Sequence, residues 1–168
     1  MHALYLVSVW LHVLAATLWL GGMLFLVVAV VPVLRRMERG SAAALMHSVG
    51  VRFRAAGWVC FALLLLTGAF NLAVRGVRWA DLVRAEFWDS PLGRPLSVKL
   101  AAFALVLVLS AWHDFSVGPR ATQVAHEDPS GPEALRLRRR ASRIGRANVL
   151  LALVLVACGV VIVRGWPW

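Results

Sequence analysis

LYLVSVWLHVLAATLWLGGMLFLVVAVVPVL, residues 4–34, decides the architecture. Not one Lys, Arg, Asp or Glu interrupts it, and its single imidazole is His12. A membrane-spanning helix needs about 20 mostly apolar residues, so this stretch crosses a bilayer with length left to tilt or protrude. The residues before it, MHA, lack the Lys/Arg head of a cleavable signal, so it reads as a retained first span.

Three further segments meet the same requirement, at about 53–74, 96–117 and 144–163. The mixed stretch SAAALMHSVGVRFR (residues 41–54) ahead of the second can extend it by an amphipathic turn or two. The composition agrees. Of 168 residues 61% are hydrophobic and the mean hydropathy is +0.76, whereas soluble domains average about 45–50% apolar. Backbone groups in lipid must be satisfied within each segment. The expected fold is therefore all-α: one transmembrane domain over residues 1–168, an integral membrane four-helix bundle.

The net charge of +10 comes from arginines in the connections. Arg35, Arg36, Arg39, Arg52 and Arg54 lie in the first, and Arg120, Arg136, Arg138, Arg139, Arg140, Arg143 and Arg146 in the third. In a four-span chain these share one side. The second connection carries Arg75, Arg78, Arg84 and Arg94, offset by Asp81, Glu86 and Asp89. The positive-inside rule then puts both termini on the non-cytoplasmic side of a bacterial-type plasma (inner) membrane. Trp79 and Trp88, with Trp166 and Trp168, fit an outer interfacial belt. The arginines come with no nucleic-acid motif and read as topology signals and lipid-headgroup contacts, so no nucleic-acid partner is expected.

Ionisable residues inside the spans are costly and face the bundle interior. His12 shares a helical face with Ala15, Ala16, Trp19, Gly22 and Met23. Such a face either packs closely on another helix or admits a flat ligand beside the histidine. On the third span Lys99, Phe103, Val106, Ser110 and His113 share a face, with Lys99 and His113 roughly 21 Å apart along the axis. Lys99 belongs to the outer half with His12 and either snorkels outward or addresses the same cavity. His113 opens HDFSVGPR at the inner end, as an interfacial cap near Asp114 or as a metal ligand, with His47 near that level. Cys60, Leu64, Thr67 and Asn71 form a mildly polar stripe on the second span. Cys60 and Cys158 form no CxxC and read as buried thiols. No catalytic triad, P-loop, HExxH or pair of intramembrane carboxylates occurs, which argues against hydrolysis and phosphoryl transfer. Sparse imidazoles in a bundle point instead to a cofactor or metal held between helices.

LHVLAATLWLGGMLFLVVAVVPVLRR, FRAAGWVCFALLLLTGAFNL, LSVKLAAFALVLVLSAWHDFSVGPR and RIGRANVLLALVLVACGVVIVRG together resemble the copper-resistance protein D (CopD) family in its short, stand-alone form. The resemblance rests on His-x6-Trp-x-Gly-Gly, the Thr-Gly of the second span and Lys-x13-His. The same order of features is similar, more distantly, to the HemJ-type protoporphyrinogen oxidases, although Arg146, Ala147 and Asn148 stand where those carry an acidic motif. That likeness implies haem b, with His12 as ligand, Trp19 and Gly22 beside it, and Lys99 as a cofactor-side or catalytic residue of a haem-dependent oxidoreductase. The CopD name implies copper instead, with His12 and His113 as candidate metal ligands. Soft donors favour Cu(I), and here the four methionines form no Met-x3-Met and the cysteines lie at different depths. The residues thus supply no soft-ligand path across the membrane, and copper rests on the family name. A third reading is a cofactor-free accessory subunit. Membrane lipid, a second protomer completing the iron coordination and a redox partner are the expected associates. If the charge rule holds, a tag inserted after Gly76 will be labelled by an impermeant reagent on intact cells, and a tag at residues 128–131 only after lysis.

Overall fold

The computed structural model describes residues 2–128 and 130–165, and among these no strand occurs. Trp166 and Trp168 lie outside the described residues. Four helices are long and apolar enough to cross a membrane: α1 (His2–Leu34), α2 (Arg39–Val74), α5 (Gly93–Ala125) and α6 (Pro132–Arg164). Two short helices, α3 (Trp79–Leu82) and α4 (Ala85–Asp89), fill the second connection. The fold is an all-α, four-span bundle. Its long helices pack as two antiparallel hairpins, α1 with α2 and α5 with α6.

The apolar stretches seen in the sequence are the middles of longer helices. α2 has 36 residues, which is about 54 Å at 1.5 Å per residue, against a hydrocarbon core of about 30 Å. Its extra turns begin where Glu38 caps the helix, accepting from the backbone N–H groups of Gly40 at 2.8 Å and Ser41 at 2.9 Å. The alanines at 42–44 then supply strong helix propensity. α6 likewise starts at Pro132, a proline fitted to a first turn. Ala134, Leu137 and Ile144 are buried at helical spacing, while Arg136, Arg139, Arg140 and Arg143 are exposed. At the other end of α2, Gly76 has φ of +88°. Its N–H reaches Ala73 O and the N–H of Val77 reaches Leu72 O, the paired bonds that satisfy the last carbonyls of a helix.

Two interruptions have one cause. A π-helical turn covers Leu26–Val30 and another covers His113–Val117. Each lies just ahead of a proline, Pro32 or Pro119. Proline lacks an N–H, and its ring collides with the carbonyl four residues back. Widening the preceding turn relieves the clash, and the N–H groups of Val31 and Gly118 bond five residues back to Leu26 O and His113 O.

The core is aromatic at its centre. Phe61 of α2 lies 5.1 Å from the Trp19 ring, 5.5 Å from Trp58 and 6.0 Å from Phe103, centroid to centroid. All three contacts are edge-to-face, the geometry that aligns ring quadrupoles favourably. Ala15, Met23, Cys60, Val106 and Ala152 complete this cluster, which draws on all four long helices. Side-chain hydrogen bonds cross between helices within the bundle: His12–Thr67 joins α1 to α2, Asn148–Ser110 joins α6 to α5, and Trp58–Asp114 joins α2 to α5.

The bonds from Gly40 and Ser41 hold the Glu38 carboxyl below its usual range. A carboxylate whose folded pKa is depressed stabilises above its unfolded pKa, and that contribution disappears as pH falls through the folded value. Amide exchange at residues 40–42 should therefore speed up selectively as pH drops below the ordinary carboxylate range, after correction for intrinsic rates. Glu38→Gln should weaken that pH dependence.

Candidate functional site

Toward the end of the bundle that carries the termini, the stripe on α1 meets the stripe on α2. His12 Nδ1 and Thr67 Oγ1 are 2.8 Å apart. Thr67 has one hydroxyl proton, and it donates to the Leu63 carbonyl one turn back. Thr67 Oγ1 is therefore the acceptor toward the imidazole and His12 Nδ1–H the donor. The neutral ring must then carry its lone pair on Nε2, the nitrogen available to a metal. A threonine facing the ring thus holds the ligand-ready tautomer, the role that hydrogen-bond partners of metal-binding histidines usually serve.

Gly68 faces the ring, where a Cβ would stand 3.4 Å from His12 Cε1. Lys99 lies on the second turn of α5, which starts from the same end of the bundle, and its ammonium approaches Gly159 of α6. His12 and Lys99 thus lie toward the same end of the bundle. Trp19 and Gly22 lie elsewhere: Trp19 packs on Phe61, and a Cβ on Gly22 would run into the Phe53 ring. These two side the histidine face toward the aromatic core and serve close packing there. A groove of about 310 Å³ flanks the Thr67 side between α1 and α2, lined by Ser8, Leu11, Leu66, Thr67 and Phe70 among others.

Three soft donors of the spans face inward. Met23, Cys60 and Cys158 are each less than a tenth exposed, and both cysteines are free thiols. Counting along the helices, Cys60 lies about 10 Å below the Thr67 level and Met23 about 16 Å below His12. Among the described residues, no three His, Cys, Asp or Glu side chains come together as a ready metal site.

His113 belongs to a different cluster at the arginine-rich end. Its Nδ1 lies 3.0 Å from Asp114 Oδ1, the Trp58 indole N–H donates to Asp114 Oδ2 at 3.0 Å, and Arg54 Nε lies 4.0 Å from Asp114 Oδ1. His47 is not paired with it. The His47 ring bonds Thr122 Oγ1 at 3.1 Å, and that hydroxyl donates to Gly118 O. Trp58 and Thr122 carry no signal in the sequence, because their partners lie 56 and 75 residues away.

The family model for copper resistance protein D matches residues 47–162. An uncharacterised protein of Aquifex aeolicus (strain VF5) is 32% identical over 157 residues, covering 93% of this chain and 93% of that protein. No solved structure matches.

Thr67→Val removes the acceptor for His12 with little change of volume. Nitrogen NMR of the histidine-labelled protein should show His12 protonated at Nδ1 in the wild type and a mixture of tautomers in the variant. Any metal bound through Nε2 should weaken by about 10–100-fold.

Proposed function

Since the chain belongs to the copper resistance protein D family, we propose that it handles copper within the membrane, with His12 Nε2 as the first donor that a Cu(I) ion meets between the helices. The observation that carries this reading is the Leu63–Thr67–His12 chain of hydrogen bonds, which leaves one imidazole lone pair free at membrane depth. Cu(I) is bound by imidazole, thiolate and thioether groups. Cys158, Cys60 and Met23 are the buried soft donors above and below His12, and the lipid-facing sides of the helices are aliphatic and aromatic. The arginine asymmetry supports a plasma-membrane placement with the termini outside, so that copper enters at the His12 end.

A second reading, haem b, is favoured by a different observation. A macrocycle needs one axial donor from the protein, and one free imidazole nitrogen is what the His12 region offers. The fit is limited by packing. Trp19 lies against Phe61, Gly22 against Phe53, and Gly68 against the His12 ring itself. Bound at His12, haem would supply one-electron chemistry, and a redox partner would be required.

Protein purified from cells given copper, and separately from cells given a haem precursor, should be assayed for metal content and for visible absorption before and after dithionite. The copper reading expects copper in the wild type, a loss of at least about tenfold in His12→Ala, unchanged helix content, and no Soret band. A Soret band that depends on His12 would replace copper with haem. Retention of either group by His12→Ala would remove His12 as the ligand.

A further inference from the structure

We propose that Arg75, Lys99 and the last turns of α6 form an oxyanion-binding site at the termini end of the bundle, which takes the phosphate or carboxylate of an amphiphile arriving from the membrane. Two cations that start from different helices converge there on consecutive turns of α6. Arg75, at the C-terminal cap of α2, donates through Nη1 to the Ile162 carbonyl at 3.3 Å. Lys99, on the second turn of α5, brings its ammonium to 3.8 Å from the point where a Cβ on Gly159 would stand. Gly159 and Ile162 are three residues apart and share a face of that helix.

Among the described residues, no carboxylate forms an ion pair with either: the ion pairs involve Arg54, His113 and Arg120, not Arg75 or Lys99. Asp81, an acid of the neighbouring connection, is engaged at the backbone N–H of Arg78 at 2.8 Å. The C-terminal carbonyls of α6 offset part of the charge, but a helix end is worth about half an elementary charge, against two full positive charges. A net positive site remains at the edge of the hydrocarbon, where like charges repel and an anion is drawn in. Hydrogen-bonding capacity is also left over: Arg75 has four N–H groups beyond the one on Ile162 O, and Lys99 has three.

Gly159 keeps the approach clear. A methyl there would make only ordinary contact with Lys99 Nζ, while a larger side chain would cover the ammonium. Phosphate and carboxylate share the geometry that a guanidinium and an ammonium can clamp. The source of the anion is either the headgroup of a membrane lipid or a free anion from the aqueous side. This site stands independently of the His12 reading.

The test uses the full chain in detergent, titrated with short-chain phosphatidylglycerol, with phosphatidylcholine and with inorganic phosphate, bound species being counted by native mass spectrometry. The wild type should hold phosphatidylglycerol about tenfold more tightly than Lys99→Gln/Arg75→Gln. Gly159→Leu, which keeps both charges and covers the ammonium, should lose binding to a similar degree, and Lys99→Arg should retain it. Phosphatidylglycerol binding that inorganic phosphate does not displace assigns the site to a lipid headgroup. Retention of phosphate without lipid, sensitive to the same substitutions, assigns it to a free anion. Equal retention of phosphatidylglycerol and phosphate by wild type and Gly159→Leu, or binding of neither by the wild type, overturns the proposal; either result can be read even if the double variant does not fold.

Discussion

The lipid solvent imposes the condition on which everything else here depends: a backbone N–H or C=O inside it has no water to turn to. Each segment must close its own hydrogen bonds, and helices follow. Once they form, association cannot rest on expelling apolar surface from water, because lipid is as apolar as leucine. Packing and the few polar side chains decide the arrangement. That is why Phe61, touching three other aromatic rings at the centre, matters more than the many leucines outside. The hydrogen bonds His12–Thr67, Asn148–Ser110 and Trp58–Asp114 act in the same way. Each is worth about 0.6 kcal/mol on average in such proteins, a small sum, yet each joins a different helix pair and so fixes rotation as well as association.

The two π-turns show how a local defect becomes a placement device. Pro32 and Pro119 each force the turn before them to widen. In α1 this adjustment falls in an aliphatic stretch and accompanies an apolar groove beside Phe25, Ala29 and Val33. In α5 it falls on His113 and Asp114, and the carboxylate there gathers His113, Trp58 and Arg54. The same physical event is silent at one position and collects four polar groups at another, because the residues that ride on the turn differ.

Much of the functional geometry was legible from residue spacing. Helix direction alone placed His12 and Lys99 toward the same end of the bundle, and the order of the helices keeps them there. The shared face of Val106 and Ser110 is buried as the spacing required. Other features were not legible. The spans read from hydropathy stopped near residues 53, 117 and 144, since polar residues end an apolar window even where an amphipathic helix continues. Thr67 looked like one member of a mild stripe, and nothing in the sequence distinguished it as the residue that sets the imidazole tautomer. Trp19 and Gly22 share a face with His12, yet their partners on α2, Phe61 and Phe53, turn that face into packing.

The sequence by itself determined that this chain is a four-span, all-α membrane protein with its arginines massed at one end, and its family could be read from the same residues. Hydropathy and charge are sums over neighbouring positions, so no knowledge of packing is needed to read them. Only the tertiary structure decided which nitrogen of His12 is left free and which cations converge on α6. Those outcomes depend on contacts across 55 residues for His12 and Thr67 and 87 for Arg75 and Ile162, and such contacts exist only once the helices have chosen their rotation against one another.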